Sequence, residues 1–598
     1  MSRTQLSPAA LAADSQPSRS ARPSPLRAPG FKMAGQHTVA HAVTRALLRH
    51  GVTHVFGQGI PNLLMLTCEE LGITQVGYRT ENAGGYMGDG FSRISGKACV
   101  LAAQNGPAAT LLVAAMGEAM KASTPMVALV QDVNREFTDK NAFQEYDHLA
   151  LYAGCTKWAR VVHMASRIEE YIDMAFTIAT SGRPGPVALM LPADLLLEPG
   201  HELKRTENLG YFPLDRVMPP RQRVQEAARR IASAKRPVVI AGGGVHLSGA
   251  AEVLARLQEE AHVPVATTMM GKGSVSDHHP LTIGVVGSAM GVNSPTRYLR
   301  EQITGADLVV LVGNRTNQNG TDSYTLYPRN AEYIHIDIDS HEIGRNYEAY
   351  RLQGDARETL EALVEALHEQ DLAPRRNNRA QVEREIAEGK AKYRVEAASV
   401  LSSTASPIRP ERLMTELDAV LDPHDIVVAD ASYSSFWTVN YLTSQRAGQR
   451  FLTPRGMAGL GWGLPMAMGA SIAAPDSTVY CLSGDGGFGH VWSELETARR
   501  MNIKVVLMVL NNSILGFSKH NDNARFGMHN TAVNFSAVDH CSVARGAGCE
   551  AILVSDPSQI ADALRQAKAN TVTTLIEIRC DPNAFPPFTH YADMDLHV

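Results

Sequence analysis

Two short segments decide the fold of this chain, GDGGFGH at residues 484–490 and LNNSILGF at residues 510–517. An apolar run, STVYCLS at 477–483, leads into the first segment, and another, KVVLMVL at 504–510, leads into the second. Both runs have the length and composition of buried strands, and residues 493–501 between them have the spacing of an amphipathic helix. A strand, helix, strand unit places both polar segments at the carboxyl edge of a parallel sheet, where such sheets bind ligands.

The chemistry of these segments suits a magnesium diphosphate. They offer a carboxylate, a carboxamide and a nearby backbone carbonyl, which are hard oxygen ligands of the kind that Mg2+ combines with substrate phosphates. Their glycines leave backbone amides free to face an anion. The plainer alternative is an ordinary strand-to-helix turn followed by an unrelated polar loop, which a Gly-Asp-Gly on its own would favour.

The spacing between the segments resembles a known signature. Gly-Asp-Gly, 24 intervening residues and then Asn-Asn is similar to the motif of the thiamine-diphosphate (ThDP) enzymes. This resemblance implies that ThDP and Mg2+ are cofactors and that Asp485, Asn512 and the carbonyl group of Ile514 bind the metal. It implies that neighbouring residues also bind the cofactor: Gly484, Gly486, Gly487, Leu515 and Gly516.

Length and composition narrow the class of protein. The chain has 598 residues, of which 44% are hydrophobic and 20% are charged, as in a soluble globular protein of several domains. A net charge of -5 without a basic block predicts no nucleic-acid partner. The scattered cysteines form no Cys-x-x-Cys pair, which predicts neither a disulfide framework nor a zinc site and favours a cytoplasmic location. No uncharged apolar run approaches the roughly 20 residues of a membrane span, so we expect no membrane association.

Residues 1–35 differ in composition from the rest of the chain. They are rich in Ser, Pro, Ala and Arg, and Asp14 is their only acidic residue. We predict a disordered tail. An organelle transit peptide is the alternative, because such signals are also rich in arginine and poor in acidic residues, but the repeated prolines would break the amphipathic helix that they need.

From residue 36 onward, predicted strands and helices alternate, which indicates parallel sheets covered by helices. The pattern predicts an α/β fold with three doubly wound parallel-sheet domains. In the terms of the ThDP-enzyme resemblance, these are a pyrimidine-binding domain at 36–205, a middle domain at 223–370 and a diphosphate-binding domain at 410–598. Residues 371–409 are predicted to form a charged linker, and the C-terminal tail could fold over the site.

Two further regions gain a role through the resemblance. Glu81 lies where a predicted strand passes into a helix, and a glutamate there is commonly only a favourable partner of the helix dipole. Its surroundings resemble the pyrimidine-binding domain of the ThDP enzymes, which implies that Glu81 is the catalytic glutamate that activates the cofactor, although Thr80 replaces the usual His. The glycine-dense stretch at 456–465 also resembles the family and places Gly459 and Leu460 at the cofactor, with Leu460 under the thiazolium ring.

Residues of the substrate pocket are suggested by a shorter segment. NAFQE at 141–145 resembles acetolactate synthases, which makes Phe143 and Gln144 candidate pocket residues. A phenylalanine in a half-apolar stretch is, on the other hand, usually a core residue. The tryptophan that the family places in its acceptor pocket falls on Asn521, our third candidate for the pocket.

The position of the family's second-substrate arginine is occupied by Asn319. A carboxylate-bearing acceptor would lose its charge partner there. We therefore expect a neutral carbonyl compound as acceptor, unless Arg315 or Lys519 supplies the missing charge.

The middle domain resembles the FAD-carrying domain of acetolactate synthases, most closely in IDID at 336–339. The glycines at 242–244 follow a predicted strand, as in a dinucleotide site, but the third glycine of that fingerprint would fall on Leu247. We interpret them as a tight turn. Because the nearby arginine is also replaced by Asn319, FAD stays open as a cofactor.

The ThDP-enzyme resemblance covers about residues 36–580 and is closest to the acetolactate synthase group. It implies a homodimer or homotetramer with active sites between subunits, and a carboligase or lyase of the transferase or lyase class. The substrate would be a 2-oxo acid, ketone or aldehyde, and the acyl anion left by decarboxylation would pass to a carbonyl acceptor. The alternatives are a non-ligating 2-oxo acid decarboxylase, a ThDP-dependent diketone hydrolase or lyase, and a catalytically silent paralogue, against which the retained Glu81 argues.

Overall fold

The computed structural model describes residues 37–207 and 214–591, so the predicted tail at 1–35 lies outside the described residues. Three six-stranded sheets follow one another along the chain, and the strands in each pair in parallel. The predicted α/β fold with three doubly wound parallel sheets is confirmed. Within the described ranges, no helix is both long enough and apolar enough to span a bilayer.

The first sheet is built from residues 54–192. Its strands are β1 (His54–Gly57), β2 (Thr74–Val76), β3 (Cys99–Ala103), β4 (Met126–Asp132), β5 (Trp158–Val161) and β6 (Pro186–Pro192). The helices around it are α1 (Val39–Arg49), α2 (Asn62–Glu70), α3 (Glu81–Ser95), α4 (Pro107–Leu111), α5 (Val113–Ala122), α6 (His148–Ala153), α7 (Ile168–Thr180) and α8 (Ala193–Leu197). The strand order is β2-β1-β3-β4-β6-β5.

The middle sheet has a different order of strands. It contains β7 (Pro237–Ala241), β8 (Val265–Thr267), β9 (Thr282–Val285), β10 (Leu308–Val312), β11 (Glu332–Asp337) and β12 (Tyr350–Gln353), ordered β12-β11-β10-β7-β8-β9. Its helices are α9 (Arg221–Ser233), α10 (Gly244–Ser248), α11 (Ala251–Glu260), α12 (Glu301–Thr304) and α13 (Ala356–His368). The predicted linker at 371–409 contains a single helix of 29 residues, α14 (Ala373–Leu401).

The third sheet repeats the topology of the first. Its strands are β13 (Ile426–Ala429), β14 (Phe451–Leu452), β15 (Val479–Gly484), β16 (Val506–Asn511), β17 (Glu550–Val554) and β18 (Thr574–Arg579), ordered β14-β13-β15-β16-β18-β17. The helices are α15 (Pro410–Val420), α16 (Tyr433–Tyr441), α17 (Gly463–Ala473), α18 (Asp485–Phe488), α19 (Glu494–Arg500), α20 (Gly516–Phe526), α21 (His540–Gly546) and α22 (Ile560–Ala569). The predicted strand, helix, strand unit around the deciding segments is β15, α19 and β16.

The first and third sheets share one core. A continuous cluster of buried apolar side chains includes Phe56 of β1 and Leu507 of β16. Across this junction α3 and α17 cross at backbone contact, because a Cβ atom added to Gly90 would lie 2.1 Å from the carbonyl oxygen of Met466. On the other helix, a Cβ atom added to Gly469 would lie 1.8 Å from the carbonyl oxygen of Met87. Glycine is required at both points of the crossing.

The crossing predicts that Gly469→Ala destabilises the protein. A methyl group cannot fit against a main-chain oxygen, and overpacking a tight contact typically costs about 1–3 kcal/mol. We expect a lower midpoint of thermal unfolding for this variant. Gly546→Ala is the matched control, since Gly546 is an exposed helical glycine whose added Cβ atom would meet no atom within 4 Å. Equal midpoints for the two variants would contradict the close crossing.

Candidate active site

A cavity of about 360 Å³ lies at the carboxyl edge of the third sheet. The segments that follow β13, β15 and β16 form its walls. The winding of the sheet changes direction between β13 and β15, and such a switch point is where open parallel sheets bind ligands. Of the residues that we predicted to bind the cofactor, Gly459 does not line the cavity, and all the others do: Leu460, Gly484, Asp485, Gly486, Gly487, Asn512, Ile514, Leu515 and Gly516.

Asp485, the first residue of α18, joins the two segments that decide the fold. Its Oδ2 accepts a hydrogen bond from Ser513 N at 2.7 Å, and its Oδ1 accepts one from Gly486 N at 2.9 Å. Asn512 Oδ1 accepts a hydrogen bond from Ile514 N at 3.2 Å. Burial raises the pKa of the Asp485 carboxyl group, so its charged form would gain from a nearby cation. These oxygens could hold a divalent cation such as Mg2+.

Asp430 follows β13 and fixes the glycine-dense stretch that carries Leu460. Its carboxylate is buried and accepts hydrogen bonds from Gly461 N and Trp462 N, both at 3.1 Å. Ser483 Oγ, on β15, donates to the same carboxylate at 3.0 Å. One side chain therefore ties this wall of the cavity to the neighbouring strand.

Glu118 on α5 packs beside the first sheet, yet it holds a loop of the third domain. Its fully buried carboxylate accepts hydrogen bonds from the amides of residues 456–458, over distances between 2.5 and 3.3 Å. Arg93 Nη2 lies 3.4 Å from the same carboxylate. The loop that precedes Leu460 is therefore fixed from across the domain boundary.

Glu577 on β18 holds Asn511, the first asparagine of the pair. Its carboxylate is fully buried, and it accepts hydrogen bonds from Asn511 Nδ2 at 2.7 Å and from Cys541 N at 3.1 Å. Burial alone would raise the pKa of Glu577, but nearby His540, the hydrogen bond from Asn511 and a nearby arginine lower it to about 2. The carboxylate is ionised at neutral pH and fixes the loop that carries Asn512.

Glu81 is the first residue of α3. The start of this helix is held by Glu494 of α19, whose Oε1 accepts hydrogen bonds from Arg79 N and Thr80 N, each at 3.1 Å. Burial raises the pKa of Glu494. Glu81 does not line the cavity of its own chain.

The three candidate residues of the substrate pocket also lie outside this cavity. Phe143 is 84% exposed on the surface of the chain. Beside it, Gln144 Oε1 accepts a hydrogen bond from Gln104 Nε2 at 2.8 Å. Asn521 lies half-buried on α20. Their assignment to the substrate pocket stays a prediction.

The chain after β18 crosses the third-sheet cavity. Asp581, Ala584 and Phe588 line it. Tyr433 lines it from α16, and its hydroxyl group donates a hydrogen bond to Tyr591 Oη at 3.0 Å. Residues of the segment 581–591, the described part of the C-terminal tail, therefore lie against the cavity.

A second cavity lies at the switch point of the middle sheet. Read from β9, the order β9-β8-β7-β10-β11-β12 is that of dinucleotide-binding sheets, which place their ligand between the central strands. The glycines at 242–244 after β7 and Gly313 after β10 line this cavity. Asp337 lines it from β11, and burial raises the pKa of its carboxyl group to about 6. Asn319 and Arg455 line both cavities, so the two are adjacent.

Comparison with known families supports the expectation drawn from these motifs. Residues 37–151 match the family model described as "Thiamine pyrophosphate enzyme, N-terminal TPP binding domain". Residues 224–363 match the central domain of the same enzymes, and residues 430–578 match their C-terminal TPP binding domain. The three matches fall on the three sheets in order.

Several curated proteins are similar over most of the chain. The probable acetolactate synthase large subunit of Methanococcus aeolicus is 35% identical over 519 residues, which cover 85% of each chain. That of Methanocaldococcus jannaschii is 32% identical over 562 residues, 91% of this chain and 92% of the relative. Acetolactate synthase isozyme 2 large subunit of Escherichia coli is 29% identical over 484 residues, 80% and 83% of the two chains.

The fold, the cavity and the family matches define the class of protein as a thiamine pyrophosphate enzyme, and ThDP as its cofactor. Within that family the chain belongs to the acetolactate synthase-like group. The three sheets correspond in order to the pyrimidine-binding, middle and diphosphate-binding domains. The family recognition made from Gly-Asp-Gly and Asn-Asn is thereby confirmed, whereas the domain boundaries stay predictions.

Four residues of the site were not identified from the sequence: Glu118, Asp430, Glu577 and Arg455. The first three act on backbone amides that are distant in sequence, and no local pattern marks such contacts. Arg455 adjoins the glycine-dense stretch, but its sequence position does not show that it faces a cavity.

The contacts of Glu577 predict that Glu577→Gln weakens cofactor retention. A carboxylate accepts from both Asn511 and Cys541 N, whereas an amide can accept with one atom only, and a buried unsatisfied donor costs about 1–3 kcal/mol. We expect a higher dissociation constant for ThDP in the presence of Mg2+, measured by quenching of tryptophan fluorescence. Glu550→Gln, at an exposed position of β17, is the control. The same affinity in both variants would show that Asn511 needs no such support.

Proposed function

We propose that the protein is a ThDP- and Mg2+-dependent carboligase, of the transferase or lyase class, that decarboxylates a 2-oxo acid and transfers the acyl group to a carbonyl acceptor. The observation that carries this proposal is the convergence of the predicted metal and diphosphate residues on one cavity at the switch point of the third sheet. The names of the relatives, which are acetolactate synthases over most of the chain, favour carboligation over the non-ligating alternatives.

The residues of the cavity fit the cofactor and its metal ion. In the proposal, Asp485 Oδ, Asn512 Oδ1 and the carbonyl oxygen of Ile514 bind Mg2+, which prefers such oxygen ligands together with phosphates. Gly484, Gly486 and Gly487 line the cavity and would leave room for the diphosphate, and Leu460 would support the thiazolium ring. When bound, ThDP supplies a nucleophilic carbon and a sink for the electrons released with CO2.

The reaction breaks one carbon-carbon bond and forms another. The bond between the carboxylate and carbonyl carbons of the donor breaks with release of CO2. The donor's carbonyl carbon then bonds to the carbonyl carbon of the acceptor, whose oxygen takes up a proton. Leu460 and the surrounding glycines exclude water from this step, and an apolar wall favours loss of the donor's charge as CO2.

Glu81 is proposed to activate the cofactor by hydrogen bonding to its pyrimidine ring. Because Glu81 does not line the cavity of its own chain, the proposal requires two copies, with Glu81 of one copy completing the site of the other. The smallest active unit would then be a homodimer. Two such dimers would form the homotetramer.

For the cavity of the middle domain we propose FAD as the ligand. The strand order and the glycine turn after β7 suit a dinucleotide, and the carboxyl group of Asp337, at the end of β11, could accept hydrogen bonds from a ribose. Flavin absorbance of the purified protein tests this part of the proposal independently of catalysis.

Glu81→Gln tests the activation step. The amide carries no charge, so we expect ThDP binding to be retained while exchange of the C2 proton of ThDP slows by about 10²–10⁴-fold, the usual size of an acid–base contribution. Exchange is followed by NMR after acid quench in deuterated buffer. Glu136→Gln, at an exposed position of the same domain, is the control. Exchange at the wild-type rate would show that Glu81 does not activate the cofactor and serves only at the start of α3.

Product analysis tests the function itself. The protein with ThDP and Mg2+ is incubated with pyruvate alone and with pyruvate plus acetaldehyde. We expect CO2 together with a carboligation product, acetolactate or 3-hydroxybutan-2-one, and loss of both in Glu81→Gln. Release of CO2 with free acetaldehyde as the sole organic product would support the non-ligating decarboxylase instead.

A further inference from the structure

Arg455 places a cation without an acidic partner in the cavity of the third sheet. Among the described residues that line this cavity, it is the only lysine or arginine. Its guanidinium lies over the ring of Phe436, with 5.2 Å between Cζ and the ring centroid. Burial lowers the pKa of Arg455 to about 10, so the group is still charged at neutral pH. Within residues 37–207 and 214–591, its guanidinium forms neither an ion pair nor a hydrogen bond with protein.

The backbone on both sides of Arg455 is fixed by the first domain. Glu118 accepts hydrogen bonds from the amides of residues 456–458, immediately after it. Arg93 Nη1 donates to Thr453 O at 3.0 Å, two residues before it. The buried carboxylate of Glu118 is thus already occupied by amides and by Arg93. The guanidinium is held in place while its own donors stay free for a ligand.

The position of Arg455 matches the position where a positive charge is missing from the sequence. Asn319, which stands at the site of the family's second-substrate arginine, lines the same cavity as Arg455. The two basic residues that we considered as substitutes are elsewhere. Arg315 donates to the carbonyl oxygen of Lys121 and lines the middle cavity, whereas Lys519 Nζ donates to Asn583 Oδ1 at 2.7 Å.

We propose that Arg455 binds the carboxylate of the acceptor and thereby selects a 2-oxo acid over a neutral aldehyde or ketone. An arginine presents paired donors to a carboxylate, which gives both strength and orientation. The donor's carboxylate is an unsuitable partner, because it leaves as CO2 and a cation bound to it would stabilise the ground state more than the transition state. The carboxylate that survives the reaction is that of the acceptor. The inference rests on the proposed carboligase function and replaces our expectation of a neutral acceptor.

The test is a competition between acceptors in Arg455→Gln. The donor is the 2-oxo acid that gives the fastest release of CO2, and pyruvate and acetaldehyde compete as acceptors. We expect the ratio of acid-derived to aldehyde-derived product to fall by about tenfold to a hundredfold, the usual effect of losing a hydrogen bond to a charged group. Affinity for ThDP should be unchanged, because Arg455 is proposed to contact the acceptor and not the cofactor. Arg455→Lys should restore part of the ratio, since it keeps the charge without the paired donors.

Arg525→Gln, at an exposed position of α20, is the matched control and should leave the ratio unchanged. An unchanged ratio in Arg455→Gln would overturn the proposal. So would weakened ThDP binding or loss of flavin absorbance with an unchanged ratio, because Arg455 would then serve a cofactor. If the wild-type protein releases CO2 but forms no ligation product with either acceptor, the carboligase function fails, whatever the variants show.

Discussion

Buried carboxylates that accept hydrogen bonds from distant backbone amides hold this active-site region together. Asp430, Glu118, Glu494 and Glu577 are each largely or fully buried, and each accepts hydrogen bonds from amides of another segment. Burying an ionised carboxylate is unfavourable unless several donors surround it. Such a side chain tolerates little displacement of its partners, so the loops around the cavity are fixed by electrostatics as much as by apolar packing.

Sequence patterns predicted the parts of the site whose residues lie close together along the chain, but not the contacts between distant residues. Asp485, Asn512 and the strands before them lie within one short unit, so apolar runs and spacing located them together. The contact of Glu118 with Gly456 joins residues 338 positions apart, and that of Glu494 with Thr80 joins residues 414 positions apart. No periodic pattern in the sequence indicates contacts between residues so far apart. The cavity position of Arg455 was not predictable for the same reason, because contacts with the first domain fix the backbone on both sides of it. The pattern of residues 141–145 does not indicate that Phe143 is exposed.

The strand order of the first and third sheets gives one chain two similar carboxyl edges, whose candidate residues have different proposed roles in the site. The first and third sheets have the same strand order, and each presents candidate functional residues beyond the carboxyl ends of its strands. The third sheet presents the side-chain oxygens of Asp485 and Asn512, whereas the first presents Glu81 after β2. Within one chain, Glu81 does not line the cavity of the third sheet. In the proposed dimer, a twofold axis would bring Glu81 of each copy against the third-sheet cavity of the other and would create two equivalent sites.

The glycine crossing of α3 and α17 has a consequence for motion. The backbone of each helix packs directly against a glycine of the other, at Gly90 of α3 and Gly469 of α17. Sliding one helix along the other by a single residue would drive Cβ atoms into main-chain oxygens, so shear between these layers is blocked. The crossing therefore opposes sliding between the first and third domains of one chain. Substrate must therefore be admitted by a displacement that leaves this crossing intact.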